Sequence, residues 1–583
     1  MTTTLAAVFA PIGLTGGLTG SLFSEFAFTL VFTVLVSAMV ALTLSPMLSS
    51  KVLKPAGEHG LVHALDVAFD RIRESYDRSL RAVLRHRAAA ILVAVVVFVT
   101  IPVMFLGTPS ELAPTEDQGL ILVSATGPAT ATLHYLNRYS RKIAAIFRTF
   151  KQTGNIFQIN GLSFGGGAAN ALVGGMKLVP WNQRNVSQMA LMPLVQQKLS
   201  GLTGVQAVAF PKPSLPGSAG GLPIQFVITS PGDFRHINAV ANELIGKSMR
   251  SGLFAFLTKD LRYDNPEVVV RVNRNLAGNL GVTMANIGDN LEPLLGGNLI
   301  NRFDIQGRSY KVIPQVPDRF RADPAALHDY YIRSQSGSLI PLSTLVSLHT
   351  EVDPEYLPQF QQLNSATVEG VPAPGVTLGK ALAYLGQEAQ HIMPAGFAIH
   401  YASQSRQYVQ EGHTIVITFM LAIILVYLLL AAQFESFRDP LIVMVTVPMA
   451  ISGALIFLYL GAGTLNIYTE VGLVTLIGLI TKQGILIVQF ANVIQETEGA
   501  DRNAAVEKAS SIRLRPILMT TGAMVFGAMP LVFASGPGAV SRFDMGLVIA
   551  SGLGIGALFS LYMVPVIYSY LARDRRISAL SQD

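Results

Sequence analysis

The chain has 583 residues, of which 50% are hydrophobic and only 13% charged, against roughly a quarter charged in an ordinary soluble domain. With a mean hydropathy of +0.45, this excludes a plain cytosolic enzyme. The 42 Lys and Arg against 36 Asp and Glu leave a net charge of +6, which carries no nucleic-acid signature because the basic residues collect beside apolar runs. Cysteine is absent, which removes thiol catalysis, disulfides and zinc-thiolate sites.

In chain order, the apolar stretch at about 5–14 is too short to span a bilayer and has no basic residues before it. It reads as the end of a helix whose beginning is missing, not as a signal peptide. A full span follows at 26–47 and another at 88–106. Between them, 61–84 mixes apolar and basic residues at helical spacing, which suits a helix on the inner membrane surface or a solvated amphipathic connector. The roughly 300 residues from 107 to 412 form the soluble part. Their alternation predicts strand 120–125, helix 133–150, strands 155–160 and 172–179, helix 188–199 and strand 205–210. A second unit begins with strand 224–228 and helix 236–249, continues with strands near 261 and at 268–272, and resumes at helix 378–392 and strand 398–402. Five more spans follow, at 414–432, 441–460, 471–493, 516–534 and 545–571.

The predicted fold class is therefore an all-α membrane bundle of seven full spans and a partial one. It carries a large α+β domain of two split-βαβ (ferredoxin-like) modules, the second interrupted by an insertion near 276–348. Lys51, Lys54, Arg71, Arg73, Arg78, Arg81, Arg85 and Arg87 lie between the first two spans, whereas the loop at 15–24 has no basic residue. Counting spans alternately puts Arg438, Arg502, Lys508, Arg573, Arg575 and Arg576 on the same side, hence the cytoplasmic one, and the large domain outside. The first and last apolar hairpins also match. Pro11, Glu25 and Pro46 correspond to Pro530, Asp544 and Pro565 under a shift of about 519 residues, which indicates a parallel membrane repeat of the kind found in secondary transporters. If it is one, the counterpart of roughly 88–519 is expected before Met1.

Lys482 falls near the middle of its span, where a charged side chain costs about 2.5–3.5 kcal/mol on insertion scales. Glu470, the nearest acid along the helix, is twelve residues away, about 18 Å at 1.5 Å per residue. The functional reading is a proton-responsive ion pair whose acids lie on other helices; the bland one is a lysine that reaches an interface along its own stem. Arg513 and Thr520 follow on the next span, seven residues apart and on one face. By themselves, Arg513 and Arg515 read as anchors at the inner boundary.

The run Gly478-Leu479-Ile480-Thr481-Lys482-Gln483-Gly484-Ile485, with Arg513-Leu514-Arg515-Pro516-Ile517-Leu518-Met519-Thr520 and Met529-Pro530-Leu531, resembles the resistance-nodulation-division drug exporters in their hydrophobe/amphiphile branch. Thr115-Glu116-Asp117-Gln118-Gly119 and Gln433-Phe434-Glu435-Ser436 are similar to that branch as well. The resemblance implies a homotrimeric Gram-negative inner-membrane pump that exchanges protons for amphiphilic drugs and works with a periplasmic adaptor and an outer-membrane channel. It implies a proton relay of Lys482, Arg513 and Thr520, with the two partner aspartates on a span this sequence lacks, so that the chain alone is not expected to pump. It also implies substrate binding by Phe157, Leu162, Phe164 and Phe210 beside a flexible loop containing Gly161, Gly165, Gly166 and Gly167.

The domain divisions expected on this basis are 1–47 for the last hairpin of a first membrane repeat, 48–87 for the interfacial helix and 88–107 for a transmembrane helix. A first porter-like module takes 108–222, a second takes 223–275 and 354–411, and a docking-like insertion takes 276–353. The five-helix membrane segment takes 412–572 and a cytoplasmic tail 573–583.

No hydrolase site is legible, and the Gly-rich stretches lack the Gly-Lys-Ser/Thr ending of a phosphate loop. The ten histidines form no close helical pair, so neither metal nor cofactor is expected. The reading is a secondary transporter rather than an enzyme, with membrane lipid as its surroundings and no nucleic-acid partner. The alternative is a non-transporting membrane-anchored binding or scaffold module.

Overall fold

The structure, a computed structural model, describes residues 2–14, 16–52, 61–163, 166–215 and 220–575. Phe164, Gly165 and Arg576 lie outside the described residues. The chain forms two compact units, one of residues 1–126, 133–260 and 359–583, the other of residues 127–132 and 261–358.

The first unit opens with helices α1 (Thr2–Leu14), α2 (Gly17–Val52), α3 (Leu61–Arg85) and α4 (Arg87–Gly107). On α3 the residues Tyr76, Leu80 and Leu84 form a buried stripe at four-residue spacing. They are packed in the membrane bundle's core, so protein and not only lipid or water covers this helix.

Strand β1 (Leu120–Thr126), helix α5 (Leu133–Arg148), strands β2 (Thr153–Ser163) and β3 (Gly166–Leu178), helix α6 (Gln188–Ser200) and strand β4 (Gln206–Pro211) follow. They form an antiparallel sheet of order β2-β3-β1-β4. Alternate residues Ile121, Val123 and Ala125 of β1 meet Leu136, Ile143 and Phe147 of α5 and Leu191, Val195 and Leu199 of α6, so both helices cover one face.

A second sheet uses β5 (Ile224–Ser230), α7 (Phe234–Arg250) and β6 (Phe254–Lys259). The strand expected at 268–272 is a correction. It lies in β7 (Asn265–Val272), which pairs with a distant strand of the other unit rather than with this sheet. Its Val268-Val269-Val270 run is at most half-buried, because a two-stranded ribbon offers a single narrow apolar face.

That other unit continues with α8 (Arg274–Asn279), α9 (Met284–Leu291), the hairpin β8 (Asn301–Ile305) and β9 (Arg308–Val312), the pair β10 (Tyr331–Arg333) and β11 (Leu339–Pro341), α10 (Leu342–Leu345) and β12 (Val346–Asp353), the partner of β7. Ala277, Val282, Ile287, Ile332, Leu342 and Leu345 make its own small core. The insertion thus begins at Leu261, fifteen residues before the expected start at 276.

The second sheet is completed by β13 (Gln359–Phe360), β14 (Leu363–Pro372), α11 (Leu378–Ile392) and β15 (Ala398–Tyr401). Here β14 lies between β6 and β5, and β15 flanks β5, so the order matches that of the first sheet.

The remaining helices are α12 (Ser403–Phe434), α13 (Arg438–Met444), α14 (Thr446–Tyr459), α15 (Ile467–Glu498), α16 (Arg502–Val532) and α17 (Ala539–Leu571). Among the described residues, seven helices are long and apolar enough to cross a membrane: α2, α4, α12, α13 with α14 taken together, α15, α16 and α17. The hairpins α1–α2 and α16–α17 share more than prolines. Gly17 and Gly536, related by the same shift of 519, both turn the chain at positive φ, +78° and +86°. Glu25 is exposed whereas its counterpart Asp544 is buried.

The basic residues gather at the end of the bundle away from the sheets. Arg81 pairs with Glu507, Arg515 with Asp66, Lys508 with Glu498, and Arg575 with both Asp439 and Glu496.

The first sheet is anchored through Asp117, just before β1. It accepts from Arg184 Nη1 at 2.8 Å and Nη2 at 2.6 Å, and from the backbone N–H groups of Gln188 and Gly119 at 2.6 and 3.0 Å. Burial pushes this carboxyl up, but the guanidinium and the two amides outweigh it and hold the pKa below the ordinary range. Arg184→Met leaves a buried carboxylate without its counter-ion and is expected to cost about 3–5 kcal/mol, measured as a lower urea midpoint. Because the folded pKa is depressed, the pair's contribution is present above the ordinary carboxylate pKa and is lost as pH falls through the depressed one. The variant therefore shows a flatter acid limb than the parent.

Candidate transport site

Lys482 is the sixteenth of the 32 residues of α15 and is half-buried. Among the described residues, no carboxylate oxygen lies within 4.0 Å of its ammonium, and none of their nine ion pairs includes it. The polar contact across the α15–α16 interface is made by its neighbour. Gln483, 1% exposed, donates from Nε2 to Thr521 Oγ1 at 2.8 Å, while its buried Oε1 has no partner among the described residues. Thr520 turns its hydroxyl back onto its own helix, donating to the carbonyls of Pro516 and Ile517 at 2.9 and 3.1 Å. Arg513 stacks over Phe490 with its guanidinium carbon 4.3 Å from the ring centroid. Phe490 is eight residues along α15 from Lys482, about 12 Å of helix axis. The structure thus keeps Lys482 at mid-span and sets Arg513 about two turns from it.

Acidic groups instead gather where α4 leaves the bundle. The strap 108–119 runs beside the α14–α15 loop, with backbone bonds from Glu111 N to Leu465 O at 3.0 Å and from Leu465 N to Pro109 O at 2.9 Å. Glu111 Oε1 accepts from Thr464 Oγ1 at 2.7 Å. Glu116, 6% exposed, accepts from the backbone N–H of Ser541 at 2.7 Å and from its hydroxyl at 2.5 Å, so a carboxylate caps the positive end of α17. Asp544, one turn further on, accepts from Asn466 Nδ2 at 2.7 Å, and Asn466 is itself the N-cap of α15. Glu411 caps α2 in the same way, through Leu18 N at 3.0 Å and the Thr19 hydroxyl at 2.5 Å. Burial pushes the Glu111 carboxyl up to about 7; the Thr464 bond lowers it and the nearby Asp544 charge raises it further.

The expected substrate residues split. Phe157 of β2 lies opposite Gly175 of β3, Gly175 opposite Leu122 of β1, and Leu122 opposite Phe210 of β4. Directly paired residues share a face, so Phe157 and Phe210 belong to one row on the face away from α5 and α6. Phe157 is 42% exposed and Leu162 38%, while Phe210 is buried. Ile159 adds a further exposed apolar side chain to this face. The expected glycine loop is a correction too. β2 runs through Gly161 to Ser163, and β3 begins at Gly166, with Leu162 paired to Gly167. Gly161 makes this possible at φ +81°, where the register of the two strands shifts. It thereby extends a hairpin where a loop was expected.

A family model described as the AcrB/AcrD/AcrF family matches residues 1–572. The chain belongs to this family. It is a family of resistance-nodulation-division transporters. The chain is 39% identical over 588 residues to a Haemophilus influenzae (strain ATCC 51907 / DSM 11121 / KW20 / Rd) protein named "Uncharacterized transporter", covering 99% of this chain and 56% of that one. It is 30% identical over 584 residues to the multidrug export protein AcrF of Escherichia coli K12, covering 98% and 56%, and 29% identical over 582 residues to the multidrug resistance protein MdtF of the same strain, covering 97% and 56%. The chain spans about half the length of the curated relatives it matches.

In this AcrB/AcrD/AcrF-family chain, sequence reasoning missed Gln483 and Thr521, although an amide beside a mid-span lysine was a visible signal. It also missed the strap. Glu111, Glu116 and Glu411 sit at span ends, where acids are ordinary, and only tertiary contact reveals their partners. Two outcomes follow from these contacts. Glu111 has a folded pKa above its unfolded one, so its contribution is most favourable below about 4.5 and is lost as pH rises to about 7. Glu111→Gln removes that dependence, and the parent-minus-variant difference in unfolding free energy changes by on the order of 2–3 kcal/mol across this window. At Gly175 a Cβ would meet Ile121 O at 2.7 Å and Phe157 Cε1 at 3.0 Å. Gly175→Val is expected to destabilise the first sheet by about 1–3 kcal/mol, read as a lower thermal midpoint.

Proposed function

We propose that this chain acts in proton-driven export of amphiphilic compounds, as part of a multi-pass inner-membrane transporter of a Gram-negative cell with its α/β domain in the periplasm. The observation that carries this reading is Lys482, held at mid-span on α15 with no carboxylate ion pair among the described residues. An ammonium in hydrocarbon is costly unless a partner compensates it, and such groups mark ion and proton pathways. Lys482 is the proton-responsive group, with Arg513 and Thr520 as relay members. The names of AcrF and MdtF, a multidrug export and a multidrug resistance protein, support the substrate class.

Phe157, Leu162, Phe164 and Phe210 serve as the substrate surface. Its described part, an apolar sheet face with two exposed members, suits amphiphiles. The matching strand orders of the two sheets support two split-βαβ porter modules, and the unit at 261–358 is the docking part toward an adaptor or channel. A homotrimer is the assembly that goes with this reading.

Drug susceptibility of a pump-deleted Gram-negative strain tests it. Expressed with the N-terminal half of AcrF, the chain is expected to raise the inhibitory concentration of an amphiphilic dye several-fold, and Lys482→Ala is expected to return it to background. Export retained by K482A would falsify the relay role. Dye binding without export by either combination would favour a binding module.

A further inference from the structure

A groove of about 520 Å³ lies between α3, α4 and α17, at the end of the bundle away from the sheets. Its lining includes Ala82 and Val83 of α3, His86 at the turn between α3 and α4, Ala90 and Val93 of α4, and Phe559 of α17. Ser79 and Tyr562, the hydroxyl-bearing residues of the lining, bond each other at 3.0 Å, so each already has a polar partner. Among the described residues no acid lines the groove. Around it, Leu92, Val96 and Val99 of α4 and Leu558 of α17 expose large apolar surface on helices of spanning length. The groove therefore opens toward hydrocarbon, which disfavours a water-soluble ligand.

One flank is cationic. On α3, residues 79, 82 and 83 share a face, and at 100° per residue Arg78 and Arg85 lie about a quarter turn from it. Both are exposed and neither joins an ion pair among the described residues. His86, in the lining, has Nδ1 3.1 Å from the carbonyl of Ala82, which makes Nδ1 the donor there and leaves Nε2 without a bond among the described residues. Arg78 donates from Nε to the carbonyl of Glu74 at 3.3 Å, and Arg87 is engaged with the carbonyl of Leu84 at 2.8 Å and with the ring of Tyr570. An apolar trough with no acid in its described lining, and with Arg78 and Arg85 on a flank where Glu74 is the acid one turn from Arg78, matches an acyl chain that ends in an anionic headgroup.

We propose that this groove binds an anionic phospholipid, with an acyl chain along α4 and α17 and the phosphate beside Arg78, Arg85 and His86. Lipid held there bears on the bundle through α3, whose Tyr76 donates to the carbonyl of Leu561 on α17 at 2.6 Å. The site is independent of the transport reading.

The test is Phe559→Trp in the full chain, reconstituted in vesicles, with the parent's single Trp181 giving the background. Quenching by bromine-labelled phosphatidylglycerol is compared with that by bromine-labelled phosphatidylcholine at equal low mole fraction. One arginine near a membrane surface contributes about fivefold in anionic-lipid affinity, so the glycerol lipid is expected to bind about fivefold or more tightly. Arg78→Glu with Arg85→Glu is expected to abolish that preference. Ala82→Phe, which fills the groove and keeps the charges, is expected to bring the glycerol lipid's quenching down to the level of the choline lipid. Equal quenching by both lipids in the parent background overturns the proposal, as does a preference that survives either variant. Absence of quenching by both lipids, the result if a helix of another protein occupies the groove, also overturns it.

Discussion

A carboxylate withdrawn from water needs a donor or a cation, and the strap from residue 108 to 119 meets this requirement three times within seven residues. Glu111 takes a hydroxyl from the α14–α15 loop, Glu116 takes the first turn of α17, and Asp117 takes the guanidinium and amide that anchor the first sheet. Glu116 and Asp117 are adjacent, but their partners lie on different elements, Ser541 of α17 for the first and Arg184 and Gln188 beside the first sheet for the second. One faces the membrane helices and the other faces the sheet. A twelve-residue link without regular structure thus acts as the joint between bundle and domain, and its rigidity rests on desolvated acids that lose far more when unpaired than when paired.

The bundle obeys the same rule less completely. At the end away from the sheets, Asp439 is closed off by Arg575 and by Asn492, whose Oδ1 in turn accepts from Tyr568 at 2.6 Å, so the charge there is fully engaged. At mid-span, Gln483 spends only half of its amide on Thr521, and Lys482 has no ion pair among the described residues. Natural cores rarely leave such groups unmatched unless they work. Unpartnered buried polar atoms are not confined to mid-span, since Asp77 Oδ1 on α3 and Asn503 Oδ1 and Ser510 Oγ near the start of α16 also have no hydrogen bond among the described residues.

The sheets show how a short tertiary fact alters a sequence reading. The Val-rich run at 268–272 has the composition of a central strand, yet β14, with its Asn, Ser, Thr and Gly, occupies the centre of the second sheet. Ala366 and Val368 supply its buried face, and strand composition gives way to pairing with β5 and β6. Likewise, the glycine run after Phe157 reads as a loop in one dimension and is a hairpin in three, since a positive φ at Gly161 absorbs the register shift.

What the amino-acid order determined by itself was everything governed by local periodicity and by the cost of charge in hydrocarbon. That includes the long apolar helices, the strand and helix succession of the first sheet, and the place of Lys482 near the middle of its helix. The tertiary structure alone decided which of two neighbouring threonines faces Gln483, which strand completes the second sheet, and which donors receive Glu111, Glu116 and Asp544. Those outcomes depend on contacts between residues tens to hundreds of positions apart. Hydrophobic spacing fixes a helix or strand and its buried side, but the rotation and register of one element against another follow from packing and hydrogen-bond satisfaction across the interface.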